Sequence, residues 1–206
     1  MIASDQKPTP PRRLVRALGR VVLGVWFLVM LAVGTTLLAR HAIALPRPAA
    51  DEALARSMET LRGPDGAGRW MAVHVLYTEC QCSQRIVEHL LTTDRPRDVV
   101  ERVLLVGLDP ALERRLGARG FQVVHSTTTE LATRYHVAAV PLFVVVAPAG
   151  GVRYAGGYTT RKQGLDVRDL EILGDTGADR RPAALPLLGC AVSDRLRASL
   201  NPLGIP

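Results

Sequence analysis

Two cysteines stand at the point where an apolar segment of this chain gives way to a helical pattern. Residues 70–77 are almost wholly apolar and predict a buried strand. Cys80-Gln81-Cys82 follows, and residues 83–91 carry apolar side chains at helical spacing. Thiols at a strand-to-helix junction lie near unpaired backbone N–H groups and the positive end of the helix dipole, which stabilise a thiolate. This junction therefore predicts thiol chemistry.

The pattern along the rest of the chain alternates between helices and strands. We predict helices at 50–61, 112–116, 127–135, 166–173 and 193–200, and further strands at 103–106, 121–124, 142–146 and 152–158. The last two strands are joined by a turn that contains proline and glycine, which predicts an antiparallel hairpin. Alternation followed by a hairpin predicts an α/β fold, with a mixed central sheet and helices on both faces.

An N-terminal segment predicts a membrane anchor. Residues 21–38 form an uncharged apolar stretch of 18 residues, and with Ala39 we predict a transmembrane helix at 21–39. Residues 1–20 hold five basic residues and one acidic residue. The positive-inside rule therefore predicts a cytoplasmic N-terminus, a single pass and an exported main domain. For a bacterial chain, which is our interpretation of this sequence, the membrane is the inner membrane and the main domain lies in the periplasm.

A cleaved signal peptide is the alternative to this anchor. Ala42-Ile43-Ala44 has the small-residue form of a cleavage site. The apolar stretch is longer than the hydrophobic region of an ordinary signal peptide, which favours an uncleaved anchor.

The charge of the chain does not indicate a nucleic-acid partner. The net charge is +7, but residues 1–20 supply more than half of it, and acidic and basic residues are interspersed elsewhere. We expect a linker at 40–49, one domain at 50–175 and a C-terminal extension at 176–206. The expected partners are the lipid bilayer, through 21–39, and other proteins.

Residues 50–175 resemble the thioredoxin fold, and in particular membrane-tethered, exported thioredoxin-like proteins. The resemblance rests on Cys80 at the strand-to-helix junction, on Val140-Pro141 and on the terminal hairpin. The chain differs in having Cys-x-Cys instead of Cys-x-x-Cys, and in having Glu79 where a tryptophan is usual. The resemblance implies a cis peptide at Val140-Pro141 and a loop there that faces Cys80 and binds the extended chain of a partner.

The spacing of the pair predicts separate roles for its two thiols. Cys82 lies four residues before Ile86 and shares its core-facing stripe, so we expect a buried resolving thiol. Cys80 is expected at the exposed end of the helix as the attacking nucleophile. A disulfide between positions i and i+2 is strained and therefore easily reduced. We predict an oxidant or isomerase acting on protein thiols or disulfides through Cys80 and Cys82, with Val140 and Pro141 in the site and without a cofactor.

Two other functions remain open from the sequence. Cys80, Cys82 and Cys190 would be the ligands of a carrier for copper or an iron–sulfur cluster. Alternatively, the chain is an accessory protein that keeps the fold without catalysis.

The C-terminal extension carries the third cysteine. Its apolar residues predict that it packs on the domain, and we expect the Cα atom of Cys190 within about 7 Å of the Cys80/Cys82 site. We also expect Cys190, like the other two cysteines, at a helix N-terminus. A buried packing cysteine, a third redox partner and a metal ligand all remain open for it.

Overall fold

The structure, a computed structural model, describes residues 12–162 and 164–200, with only the backbone described at 12–14 and 37–42. Residues 1–11 of the predicted basic segment and 201–206 of the predicted C-terminal extension lie outside the described residues. The chain divides into two units, Met1–Ile43 and Ala44–Pro206.

The first unit contains one long helix, α1 (Arg12–Ala42). Its stretch Val15–Thr36 has 22 residues and a mean hydropathy of 2.1, and none of its most apolar window is buried. At 1.5 Å per residue this stretch is about 33 Å long. By length and composition it could cross a membrane, and a signal sequence would meet the same criteria.

The second unit alternates helices and strands in the order that the sequence predicts. Its elements are α2 (Glu52–Glu59), a 3₁₀ turn (Pro64–Gly66), β1 (Trp70–Tyr77), α3 (Gln81–Thr92), β2 (Val99–Val106), α4 (Pro110–Ala118), β3 (Gln122–Ser126), α5 (Thr128–Thr133), β4 (Ala139–Val140), β5 (Leu142–Val146), β6 (Val152–Gly156), α6 (Asp169–Gly177), β7 (Cys190–Ala191) and α7 (Asp194–Leu200). The short strands β4 and β7 are the additions that the sequence pattern did not predict.

The central sheet has the strand order β3-β2-β1-β5-β6. Strand β1 pairs parallel with β2, and β2 pairs parallel with β3. Strand β5 pairs antiparallel with both β1 and β6, which forms the predicted hairpin. Strands β4 and β7 form a separate two-stranded antiparallel sheet. The predicted α/β fold with a mixed sheet is therefore confirmed.

Alternate strand residues point to opposite faces of the sheet, and each face is covered by its own apolar cluster. On one face, side chains of β1 such as Val73 pack with Met58 of α2, Tyr135 and Cys80. On the other face, Leu76 packs with residues of α3, α4 and α6, including Leu90. Helices thus cover both faces, and Cys80 belongs to the face that carries α2.

Local capping explains where several helices begin. The side chain of Asp51 caps α2 by accepting a hydrogen bond from the N–H of Leu54. The side chain of Asp109 caps α4 by accepting from the N–H of Leu112. Thr127 caps α5 by accepting from the N–H of Glu130, as the sequence predicts. Each such cap stabilises its helix by about 1 kcal/mol. The Oγ of Ser193 likewise accepts from the N–H of Leu196 at the start of α7.

Candidate functional site

Cys80 is the residue that precedes α3. It has extended backbone angles (φ −95°, ψ 114°), and its carbonyl accepts the first helical hydrogen bond, from the N–H of Gln84, at 3.0 Å. Its own N–H donates to the carbonyl of Tyr77 at 3.1 Å. The first turn of α3 contains no acidic residue. Cys80 therefore lies at the positive end of α3, and the first turn holds no carboxylate that would offset it.

Cys80 forms a disulfide with Cys190, 110 residues further along the chain. Their Cα atoms are 6.1 Å apart, so the prediction that Cys190 comes within about 7 Å of the site is confirmed. The prediction of three cysteines at helix N-termini is wrong for Cys190, which lies in β7 and not at the start of α7. Strand pairing, which joins distant parts of the chain, positions this cysteine.

Strand β7 pairs with β4 directly beside the cis peptide. The peptide bond Val140-Pro141 is cis, as the resemblance implies. Val140 lies opposite Cys190 in the antiparallel pair. Beyond the pair, the carbonyl of Ala138 accepts from the N–H groups of Val192 and Ser193, at 2.8 and 3.1 Å. The chain's own segment therefore lies along β4, where the resemblance implies the extended chain of a partner.

The segment 184–193, here called the strap, is also anchored on its N-terminal side. The carbonyl of Leu187 accepts from the N–H of Leu45 at 2.8 Å, and the Leu187 side chain is fully buried. The carbonyl of Leu185 accepts from the N–H of Gly157 at 3.1 Å, and the guanidinium of Arg47 donates to the carbonyl of Ala184 at 2.7 Å. The strap thus has contacts on both sides of Cys190 that do not involve the disulfide.

Two glycines allow the strap to approach this closely. A Cβ atom on Gly189 would lie 1.9 Å from the carbonyl oxygen of Val140. A Cβ atom on Gly157 would lie 2.0 Å from the carbonyl oxygen of Pro186. Both distances are far below van der Waals contact, so any other residue would push the strap away. Gly189, directly before Cys190, is the sequence signal that indicates this close approach.

The burial of the first two cysteines is the reverse of the prediction. Cys80 is fully buried, whereas Cys82 is only half-buried and is a free thiol. Cys80 packs in one apolar cluster with Leu187 and Val192 of the strap, a contact that the sequence pattern did not predict. The disulfide joins Cys80 to Cys190, where we expected Cys80 and Cys82 to act as a pair. The catalytic roles of Cys80, Cys82, Val140 and Pro141 stay predictions.

The metal-site alternative needs three thiolates from Cys80, Cys82 and Cys190. In this structure two of the three sulfur atoms are bonded to each other. Within residues 12–162 and 164–200, no group of three or more His, Cys, Asp or Glu side chains is arranged to hold a metal. Ligation of copper or a cluster by the reduced cysteines stays a prediction.

The carboxylate of Glu79, next to Cys80, is engaged by a tyrosine. The hydroxyl of Tyr77 donates to this carboxylate, and the hydrogen bond raises the pKa of Tyr77. Glu79 is exposed, in contrast to Cys80. Tyr77 and Glu79 line an open groove of about 420 Å³ at the carboxyl ends of the parallel strands.

The two histidines of β1 and α3 belong to a buried ionic network on the opposite face of the sheet. The ring of His74 contacts Glu101 at 3.3 Å, and His89 contacts Asp169 at 2.9 Å. Arg95 joins the two carboxylates, with its guanidinium 2.7 Å from Asp169. Burial works against ionisation of Glu101, yet hydrogen bonds from His74 and Arg95 lower its pKa to about 2. This network ties β1, β2, α3 and α6 together, away from the disulfide.

Comparison with known proteins finds several solved structures that are similar to this chain. No protein-family model matches the sequence, and no curated protein matches it. An uncharacterized conserved protein from Geobacillus kaustophilus is 15% identical, with 74% of this chain and 90% of that chain covered and a TM-score of 0.48. A hypothetical protein from Sinorhizobium meliloti is 16% identical, with 73% and 92% covered and a TM-score of 0.47. The thioredoxin domain of a thiol-disulfide oxidoreductase from Bacteroides vulgatus is 13% identical, with 43% and 69% covered and a TM-score of 0.34.

These TM-scores lie below 0.5, so the topology of the chain itself defines its fold. A five-stranded mixed sheet is covered by helices on both faces, and its hairpin lies next to the central strand β1. A cysteine is the N-cap residue of the helix after β1, and a cis-proline precedes β5. The chain is therefore thioredoxin-like in fold, and its Cys80–Cys190 disulfide fits a thiol–disulfide role.

Proposed function

We propose that this protein is a thiol–disulfide oxidoreductase of the oxidant or isomerase type, tethered to the inner membrane by α1 and acting on protein thiols in the periplasm. The Cys80–Cys190 disulfide carries the proposal, because it lies at the N-terminus of α3 and beside the cis-Pro141 peptide. A cysteine at such a helix end is activated for exchange.

As an oxidant, the chain exchanges two electrons with a dithiol. Two thiols of the partner protein become a disulfide, and the bond between Cys80 and Cys190 is replaced by two thiols. Two protons pass with the two electrons, so the reaction needs no cofactor. As an isomerase, the reduced chain attacks a partner disulfide and is released again, and no net electrons are transferred.

The position of Cys80 at a helix N-terminus favours the oxidant direction. Backbone N–H groups at the start of α3 stabilise a Cys80 thiolate, and stabilising the reduced form makes a disulfide a stronger oxidant. No strained bond between Cys80 and Cys82 contributes to this preference, because Cys80 is bonded to Cys190, 110 positions away.

The test is oxidation of reduced, unfolded pancreatic ribonuclease by the oxidised full-length chain in detergent, followed by thiol titration. We expect one equivalent of the chain to remove two thiols from the substrate. Cys80→Ser and Cys190→Ser should each abolish this oxidation, since neither variant can form the bond. Cys82→Ser is the matched control, and it should retain the first turnover because Cys82 is outside the disulfide.

Two outcomes would contradict the proposal. One is that the oxidised wild-type chain leaves the thiol count of ribonuclease unchanged. The other is that Cys190→Ser oxidises ribonuclease as well as the wild type does. Loss of activity in Cys82→Ser alone would instead support the resolving role predicted for Cys82. Reactivation of scrambled ribonuclease by the reduced chain distinguishes an isomerase from an oxidant.

A further inference from the structure

We propose that a partner thiol attacks the sulfur of Cys190 and not that of Cys80, while the strap stays on β4 and Cys80 leaves as the thiolate. This inference rests on the proposed function and deepens it, because it names the exchanging sulfur and the kind of partner segment. It also reverses the role that the sequence predicts for Cys80.

Access favours attack on Cys190. Thiol–disulfide exchange depends on which sulfur the incoming thiolate can reach. Cys80 has 0% of its surface exposed, whereas Cys190 is only partly buried. Cys190 is therefore the more accessible residue of the bonded pair, and Cys80 is closed to an attacking thiolate in this conformation.

The leaving group favours the same sulfur. Attack on Cys190 expels the sulfur of Cys80 at the N-terminus of the 12-residue helix α3, whose first turn has no acidic side chain. Attack on Cys80 would expel the sulfur of Cys190, which lies in β7 and not at the first residues of a helix. A thiolate that is stabilised leaves faster, so the helix accelerates exchange at Cys190.

The strap keeps its position when the disulfide is broken. Before Cys190, Leu187 is fully buried and bonded to the backbone of Leu45. After Cys190, Val192 is 1% exposed, and its N–H donates to the carbonyl of Ala138. Neither anchor depends on the sulfur–sulfur bond. Reduction therefore leaves Cys190 beside Cys80, ready to re-form the disulfide.

A strap that stays paired with β4 limits which partner segments can reach the disulfide. The edge of β4 that faces Cys190 is already paired with β7, so an extended partner segment cannot pair with that edge while the strap stays in place. The partner cysteine must instead be presented on a protruding loop or a flexible, unfolded segment that reaches Cys190. This differs from the binding of an extended chain at Val140-Pro141 that the resemblance implies.

The exchange balances in two steps. The partner thiolate forms a bond to the sulfur of Cys190, the Cys80–Cys190 bond breaks, and Cys80 leaves as a thiolate that takes up a proton. A second partner thiolate then attacks the partner sulfur of this mixed disulfide and releases Cys190 as a thiol. The partner is oxidised by two electrons, and the Cys80–Cys190 pair is reduced by two.

The first test locates the attacked sulfur with glutathione as the probe. The oxidised full-length Cys82→Ser chain in detergent is treated briefly with glutathione, quenched with acid, alkylated with N-ethylmaleimide and analysed by peptide mass spectrometry. The Cys82→Ser background restricts labelling to the bonded pair. We expect glutathione on Cys190 and N-ethylmaleimide on Cys80. Glutathione found mainly on Cys80 would overturn the proposal.

The second test asks whether the strap stays paired with β4 after the disulfide is reduced. Amide hydrogen exchange of residues 185–193 is compared in the oxidised and the reduced full-length chain. We expect protection in both states, whereas at least about tenfold faster exchange on reduction would overturn the fixed strap. Leu187→Ala removes the buried anchor and should lose protection on reduction, which shows that the measurement detects release.

The two proposals fail separately. If the oxidised chain leaves the thiols of ribonuclease unchanged, the proposed function fails. The glutathione experiment still shows which of the two sulfur atoms a thiol attacks. If ribonuclease is oxidised but glutathione labels Cys80, only the present inference fails.

Discussion

At the scale of single residues, the environment of each sulfur decides its chemistry. Cys80 and Cys190 are chemically identical, yet one lies buried at the start of a helix and the other partly exposed in a two-residue strand. The side chain of Cys82 is two residues from Cys80 and stays free. Gly189 has no side chain at all, and its absence of a Cβ atom lets Cys190 reach Cys80.

We expect Gly189→Ala to destabilise the protein and to make the disulfide easier to reduce. The added Cβ atom would lie 1.9 Å from the carbonyl oxygen of Val140, so the strap must shift. Overpacking of this kind costs about 1–3 kcal/mol. The measurement is urea unfolding of the full-length chain in detergent, together with the rate of reduction by dithiothreitol.

Gly174→Ala is the matched control for this substitution. Gly174 lies inside α6, and a Cβ atom there meets no atom within 4 Å. Alanine is the better helix former by up to about 1 kcal/mol, so this variant should be as stable as the wild type or more stable. Equal stability and equal reduction rates for the two variants would contradict the close approach of the strap.

At the scale of the elements, two connections hold the domain together on opposite faces of the sheet. On one face the strap joins β4 and the segment around Leu45 to the start of α3. On the other face the buried ionic network joins β1, β2, α3 and α6. The first connection depends on the redox state, and the second depends on pH.

We predict that the free energy of unfolding falls as the pH drops from about 5 to about 2. The pKa of Glu101 is about 2 in the folded chain, against an ordinary value of 4.5. The folded state thus binds fewer protons than the unfolded state between these values, and the stabilisation that is present above pH 4.5 is lost as the pH falls towards 2. The carboxylate contributes up to about 3 kcal/mol at neutral pH. Urea unfolding across this pH range measures the effect.

Glu101→Gln should be less stable at neutral pH and should flatten this acid dependence, because glutamine does not titrate. Glu88→Gln is the matched control, since Glu88 pairs with Arg115 on the exposed surface of the domain. Exposed pairs contribute little, so the control should follow the wild-type curve. An acid profile of Glu101→Gln with the wild-type slope would show that other carboxylates cause the loss.

At the scale of the whole molecule, the chain combines one apolar helix with one thioredoxin-like domain. Helix α1 is long and apolar enough to cross a membrane. A cleaved signal peptide would leave the domain without this helix, so the two interpretations predict different proteins. They also predict different masses, which makes the choice directly measurable.

We expect the full-length chain to remain in the bacterial membrane after an alkaline carbonate wash, with the mass of the uncleaved sequence. Protease added to spheroplasts should digest the domain, since the basic N-terminal segment favours a cytoplasmic N-terminus. Ala44→Leu alters the small-residue motif of a cleavage site and should change neither the mass nor the membrane fraction. A soluble wild-type chain that begins near residue 45 would contradict the anchor.

The sequence by itself predicted the features that depend on neighbouring residues. Strand β1 coincides with the predicted 70–77, and α3 (Gln81–Thr92) contains the predicted helical segment 83–91, because apolar periodicity is a short-range property. Proline and its flanking strand also indicated the cis peptide at Val140-Pro141 through the resemblance to thioredoxins. These are the features that define the α/β fold.

Only the tertiary structure decided which thiols meet. The apolar residues of the C-terminal extension indicated that it packs on the domain, but not that it pairs with β4. This pairing places Cys190 opposite Val140, 50 positions earlier in the chain, and the disulfide joins Cys190 to Cys80, 110 positions earlier. Periodicity carries information over one or two turns of a helix, whereas strand pairing depends on backbone groups that every residue shares. For this reason the sequence predicted a redox site at Cys80, and the fold supplied Cys190 as its partner.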